Sequence, residues 1–225
     1  MIGSDQEIAF IFPVYDDYEL VKRLVRQIRQ HYLKSELFCI SDGTEDASFT
    51  EFAMTQGVNY EQGDRLKLPQ YGGQWVKRLI NLSTQTKAKH IIRVEGDTQI
   101  WRRFKKFPAA DVAGTIAYSH KIQAFYPRGG CVYFSRQAID KLLESVLNDD
   151  RYKDASIYSY PRYSAFRYAE EPRNEQPILL GDLVLGDAIA RSGLNLKNWS
   201  EVSIQFRSEP PDNADRKYAA THPHR

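Results

Sequence analysis

The chain has 225 residues, with 31 Lys and Arg against 29 Asp and Glu and a formal net charge of +2. At 42% hydrophobic and 27% charged residues it can build a substantial core, and it is neither a disordered nor a collagen-like chain. The charge balance gives no basis for nucleic-acid binding, and no apolar run approaches the ~20 residues of a bilayer span. Met1 to Glu7 holds neither the basic region nor the apolar core of a signal peptide, which predicts a cytoplasmic protein. Cys39 and Cys131 are too few for a disulfide framework.

Glu7 to Tyr15 is a nearly continuous apolar run, the pattern of a central parallel strand covered on both faces. Asp16 then opens a predicted helix, with Glu19 placed for a capping box and Val21, Leu24, Val25 and Ile28 at helical spacing. Leu37 to Ile40 reads as a second strand running into the turn Ser41-Asp42-Gly43-Thr44-Glu45-Asp46, followed by a helix over 47–56. A short strand near Val58 to Tyr60, the pair Gly72-Gly73, a helix over 74–84 and a strand from His90 to Val94 complete a β-α-β-α-β-α-β series. That alternation predicts an α/β domain with a mostly parallel central sheet, in which ligands bind at the carboxyl ends of the strands.

The second half is less regular. Strands are expected over 111–118, 131–134 and 202–206, with helices marked by Ile139, Leu142, Leu143 and Val146 and by 182–191. Between them, 148–177 carries Tyr152, Tyr158, Tyr160, Tyr163 and Tyr168, a concentration that points to a functional loop, with 152–168 read either as a mobile acceptor lid or as a packed excursion. The expected organisation is one domain over 1–210, divided near 118–119, and a polar tail over 211–225.

The chain carries no phosphate loop, no G-x-G-x-x-G, no H-E-x-x-H, no G-x-S-x-G and no C-x-x-C. What it carries is acids at strand ends: Asp42, then Glu95 and Asp97 around Gly96, then Asp182 at the start of the last helix. Hard carboxylate oxygens two residues apart on a tight turn can share one Mg²⁺ or Mn²⁺, and such an ion can neutralise a departing diphosphate. A solvated turn and a helix N-cap are the plain alternatives for Glu95-Gly96-Asp97 and for Asp182.

The order of strand-Pro13-Val14-Tyr15, Ser41-Asp42-Gly43-Thr44-Glu45-Asp46, an acid-x-Asp turn and a late Asp resembles GT-A-type glycosyltransferases. The opening is similar to the family-2 group. The stretch Tyr126 to Ser135 and Asp182-Leu183-Val184-Leu185-Gly186 are similar to fringe-like β-1,3-glycosyltransferases. Over roughly residues 7–193 the resemblance implies a GT-A-like fold, with a nucleotide-binding half over 7–118 and an acceptor half over 119–210. It implies transfer of a sugar from a nucleotide-diphosphate donor, UDP-sugar favoured, to a hydroxyl acceptor such as a glycan, with inversion and a Mn²⁺ or Mg²⁺ cofactor.

Residue by residue, the resemblance places Pro13, Val14 and Tyr15 at the base and ribose and Asp42 in the base-contacting pair, with Ser41 in place of that pair's first acid. Glu95 and Asp97 match the motif holding metal and diphosphate, and a late His, here His222, completes the metal shell. Gly129 and Gly130 would line the acceptor and donor-sugar site, and Asp182 matches the catalytic base, with Gly181 in place of the usual Glu before it. Tyr160, from the tyrosine-rich segment, is a further candidate there because aromatic faces stack on sugar rings. Lys77 and Arg78 are candidates to grip the donor phosphates. Arg102, Arg103, Lys105 and Lys106 form either an anion-attracting run or a solvated face. Asp187 is expected to turn away from the site, and Trp75, Trp101 and Trp199 to be core or rim. Two other readings remain open: a non-catalytic nucleotide-sugar binding protein, which the departures at Ser41, Glu95 and Gly181 would suit, and a sugar-phosphate nucleotidyltransferase.

Overall fold

Alternation along the first strand splits the core in two. In β1 (Ile8–Val14), Ile8, Phe10, Phe12 and Val14 face one helical layer while Ala9 and Ile11 face the other. All six are almost fully buried, as a strand covered on both faces requires. The computed structural model describes residues 4–43, 46–66, 72–120, 122–144, 148–149, 181–205 and 217–223.

β1 is followed by α1 (Tyr18–His31), β2 (Glu36–Ser41), α2 (Ala47–Thr55), β3 (Val58–Glu61), α3 (Gly72–Thr84) and β4 (His90–Val94). α1 buries Val21, Leu24, Val25 and Ile28, the stripe that its spacing predicts. The expected capping box does not form. Asp16 has φ +47, the helix begins after Asp17, and Glu19 pairs with Lys22 at 2.9 Å. α2 is capped by Asp46, whose side chain accepts from the Phe49 amide at 2.7 Å.

The second half adds β5 (Gln99–Ile100), β6 (Val112–Gly114), β7 (Ile116–Ser119), β8 (Ala124–Pro127), β9 (Cys131–Ser135), α4 (Arg136–Leu142), α5 (Gly181–Arg191), β10 (Leu196–Asn198), β11 (Val202–Gln205) and β12 (Ala220–Pro223). The single strand expected over 111–118 is thus two strands, and β8 is the antiparallel partner of β7. Val146 and the tyrosine-rich segment lie outside the described residues. Part of the segment read as a polar tail is the strand β12.

Seven strands form the central sheet in the order β10-β6-β9-β4-β1-β2-β3. β1 pairs parallel with β2 and β4, and β2 with β3. β9 runs antiparallel to both β4 and β6, and β10 is parallel to β6. This is a mixed α/β, Rossmann-like fold with a mostly parallel sheet flanked by helices. The chain builds outward from β1 to β3, then returns to place β4 on the other side of β1. The order reverses between β1 and β4, and crevices for ligands open at such a switch point. Beside it lies a second sheet, β11-β12-β5.

Candidate functional site

A cavity of about 490 Å³ opens at the carboxyl ends of β1 and β4, lined among others by Pro13, Asp42, Arg78, Glu95, Asp97 and Asp182. Acids that are far apart in sequence therefore share one cavity, at the place where the sheet topology predicts a ligand.

The turn after β4 is held by backbone. The Glu95 amide donates to the Gly130 carbonyl at 3.0 Å, the Thr98 amide to the Glu95 carbonyl at 2.9 Å, and the Thr98 hydroxyl to the same Gly130 carbonyl at 2.7 Å. Asp17 and Val21 of the first helical connection press against Gly96 where a Cβ would stand. The chain then enters β5, which pairs antiparallel with β12 through Ala220 opposite Ile100 and Thr221 opposite Gln99. Trp101 Nε1 donates to Thr221 Oγ1 at 2.9 Å. These contacts deliver His222 to the acidic turn. Gly130 has φ +96, and any Cβ there would collide with the His222 ring, so this position requires glycine for both reasons.

Glu95, Asp97 and His222 each offer a ligand atom, and these atoms lie within 4.8 Å of one another. His222 Nε2 is 2.8 Å from Glu95 Oε2 and 2.8 Å from Asp97 Oδ1. Both buried ring nitrogens lack a well-aligned hydrogen-bonding partner among the described residues. Two hard oxygens and an imidazole nitrogen converging in this way fit a shared divalent cation such as Mn²⁺. Without a cation the imidazole holds a proton instead. Burial alone would lower its pKa, but the carboxylates of Asp97 and Glu95 outweigh burial and raise it to about 9. Burial likewise acts to raise the Glu95 carboxyl, and the neighbouring Arg93 and His222 overcome it and hold that carboxyl well below the usual range.

Asp182 stands at the start of α5. Its Oδ2 accepts from the Gly129 amide at 2.7 Å and its Oδ1 from Arg93 Nη1 at 3.2 Å. Burial raises its pKa, the charge of Glu95 adds to the rise, and Arg93 opposes it. Arg93 also pairs with Glu95 through Nη2. The guanidinium lies 4.4 Å from the ring of Trp75, a residue of α3 that lines the cavity. A side chain at Gly181 would strike that same ring, at 2.9 Å from the Cβ position. Trp75 thus occupies the space that a side chain at position 181 would need.

On the other side of the cavity, Pro13 and Tyr15 line the wall, with Arg65 stacked 3.2 Å over the Tyr15 ring. Asp42 is engaged by the Leu66 amide at 2.7 Å, Arg78 at 3.0 Å and Arg65 at 3.1 Å. The expectation for Val14 is not met: strand alternation buries it in the opposite core layer. Arg78 lines the main cavity, whereas Lys77 lines a neighbouring cavity of about 370 Å³. Tyr160 lies outside the described residues.

The two arginines of the basic run are engaged in ion pairs, Arg102 with Glu201 at 2.8 Å and Arg103 with Asp5, while Lys105 and Lys106 are exposed and donate to Glu201 through their backbone amides. Asp187 is buried on α5 and takes Arg191 at 2.9 Å, as its helical position away from Asp182 predicts. Sequence reasoning missed Arg93, Arg65 and the lining role of Trp75. The one available signal was a charged residue inside the apolar strand His90–Val94, a placement that demands partners.

No family model matches the chain, and no curated protein matches it. Among solved structures it is similar to the mannosyltransferase PcManGT from Pyrobaculum calidifontis, in complex with GDP-Man and Mn²⁺. The identity is 14%, the TM-score 0.42, and the match covers 69% of this chain and 53% of that one. The chain spans about half the length of that mannosyltransferase.

Proposed function

We propose that this protein is a GT-A-like glycosyltransferase that moves a sugar from a nucleotide-diphosphate donor to a hydroxyl acceptor, with inversion at the anomeric carbon. The observation that carries the reading is the switch-point cavity lined by Glu95, Asp97 and the separate carboxylate Asp182, with His222 Nε2 2.8 Å from both Glu95 and Asp97. Asp97 and His222, with Glu95 Oε2, would hold Mn²⁺ or Mg²⁺. Bound there, the ion would neutralise the diphosphate as it leaves.

The chain's own residues take the remaining tasks. Pro13 and Tyr15 border the base and ribose, and Arg78 and Arg65 offer cationic groups beside them. UDP-sugar is the favoured donor and a glycan the favoured acceptor. Asp182 takes the proton of the acceptor hydroxyl as that oxygen bonds to the anomeric carbon and the carbon–oxygen bond to the diphosphate breaks. A carboxylate whose pKa is raised by burial is a stronger base than one in water, while Arg93 and the Gly129 amide keep it oriented. Gly129, whose amide donates to Asp182 at 2.7 Å, and Gly130 would lie beside the sugar.

The direct test incubates the purified chain with UDP- and GDP-sugars, glycan acceptors and Mn²⁺, and follows release of the nucleoside diphosphate. Release that needs both metal and acceptor supports the reading. Unchanged release in EDTA, or none with any pair, contradicts it.

A further inference from the structure

Arg93 and Glu95 are two residues apart at the end of β4, so their side chains leave on the same side of the sheet, while Val94 between them is buried in the opposite core layer. The Arg93 side chain is only 3% exposed. One arm of its guanidinium meets Glu95 and the other meets Asp182 at 3.2 Å. Among the described residues its Nε has no hydrogen-bonding partner, so the two arms carry its hydrogen bonding there. Trp75 covers the guanidinium face, and Gly181 leaves room for that ring.

These contacts form one continuous chain: Asp97, His222, Glu95, Arg93, Asp182 and the Gly129 amide. The two ends of the chain have different duties, metal binding and proton transfer. Among the described residues Arg93 is the side-chain link between them, beside the backbone of Gly129 and Gly130, where Gly130 accepts from the Glu95 amide and Gly129 donates to Asp182. A planar fork with two parallel donor arms suits that link, because it can hold two carboxylates at a fixed separation. A buried cation between two acids also removes their mutual repulsion, which would otherwise drive Asp182 out of the cavity.

We infer that Arg93 is a positioning residue that locks Asp182 at a fixed place relative to the metal-binding turn before any donor arrives. This rests on the assignment of Asp182 as the base. Arg93 lines the cavity, but both guanidinium arms are engaged by Glu95 and Asp182, so it works through them. Its removal therefore weighs on the chemical step more than on nucleotide affinity.

The test uses the full chain as wild type, Arg93→Lys and Arg93→Gln. Binding is read by thermal shift with Mn²⁺ and whichever of UDP, GDP, CDP, dTDP or ADP shifts the wild type. Turnover is read with the matching sugar donor. The expected result is nucleotide affinity and donor KM within about threefold of wild type in both variants. The expected kcat falls by about 100-fold in Arg93→Gln, the size of a lost acid–base contribution, and by less in Arg93→Lys, which keeps the charge but not the fork. A crystal structure of Arg93→Gln is expected to show Asp182 turned away from the Gly129 amide. The inference is overturned by wild-type kcat in Arg93→Gln, by affinity lost in step with kcat, or by an unchanged Asp182–Gly129 bond in that crystal structure. If Arg93→Gln does not fold, wild-type kcat in Arg93→Lys overturns it equally. Absence of turnover in the wild type counts against the proposed function instead, and the crystal structure then decides this inference alone.

Discussion

His222 Nε2 lies 2.8 Å from Asp97 Oδ1 because β12 pairs with β5, the strand that leaves the acidic turn. The metal-ligand reading of Asp97 thus depends on the far end of the chain being in place. Loss of either partner should have the same consequence. In His222→Ala and in Asp97→Ala, Mn²⁺ affinity measured by calorimetric titration is expected to fall by more than the 10–100-fold typical of losing an outer-shell partner. Full metal-dependent turnover in Asp97→Ala would show that the assignment is wrong.

Asp182 carries the proposed proton transfer and connects to Glu95 of the cation cluster through Arg93. Asp182→Asn keeps the shape and the acceptor for the Gly129 amide but loses the basic oxygen. Its kcat is expected to drop by about 10²–10⁴-fold with nucleotide affinity unchanged. Normal kcat in this variant would remove Asp182 from the reaction.

His222 gives the metal-free protein a pH signature. Its folded pKa, about 9, stands above the ordinary 6.5 because Asp97 and Glu95 outweigh burial. A raised pKa means that the folded state holds the proton more tightly. The stabilisation is therefore complete below 6.5, declines as pH rises, and is gone above about 9. In EDTA the Tm should fall across that window, and His222→Ala should flatten that component. A flat profile in the wild type would contradict the pairing.

Gly130 tests the backbone geometry. Gly130→Ala forces a Cβ into the His222 ring at φ +96. Denaturant unfolding is expected to show a loss of about 1–3 kcal/mol, and Mn²⁺ binding should weaken in parallel. Wild-type stability together with wild-type metal affinity would show that His222 is not held against this turn.

The first half of the fold was legible because its signals are local. The apolar run of β1, the stripe Val21, Leu24, Val25 and Ile28, and the alternation up to β4 each follow from neighbours in sequence. The acids at strand ends were legible for the same reason. What was hidden is long-range. β9 is inserted antiparallel between β4 and β6, and β12 crosses to β5; neither pairing has a local signature. Val14 was misplaced by carrying a whole tripeptide into the site, when strand alternation sends Pro13 and Val14 to opposite faces. The basic run was legible as charge but not as structure, since its anchor, Glu201, comes from β11's entry. Arg93 needed Asp182 and Trp75 beside it before its charge had a meaning.

The central claim is that Glu95, Asp97 and His222 form a cation site for a nucleoside diphosphate. Thermal shift with UDP, GDP, CDP, dTDP and ADP, each with Mn²⁺ and with EDTA, tests it most directly. A ligand that binds only the folded state at ~100 times its Kd adds about 2.7 kcal/mol, a readable rise in Tm. The account predicts a rise with at least one diphosphate that vanishes in EDTA and in Asp97→Ala. No rise with any nucleotide, or a rise indifferent to EDTA, would contradict it.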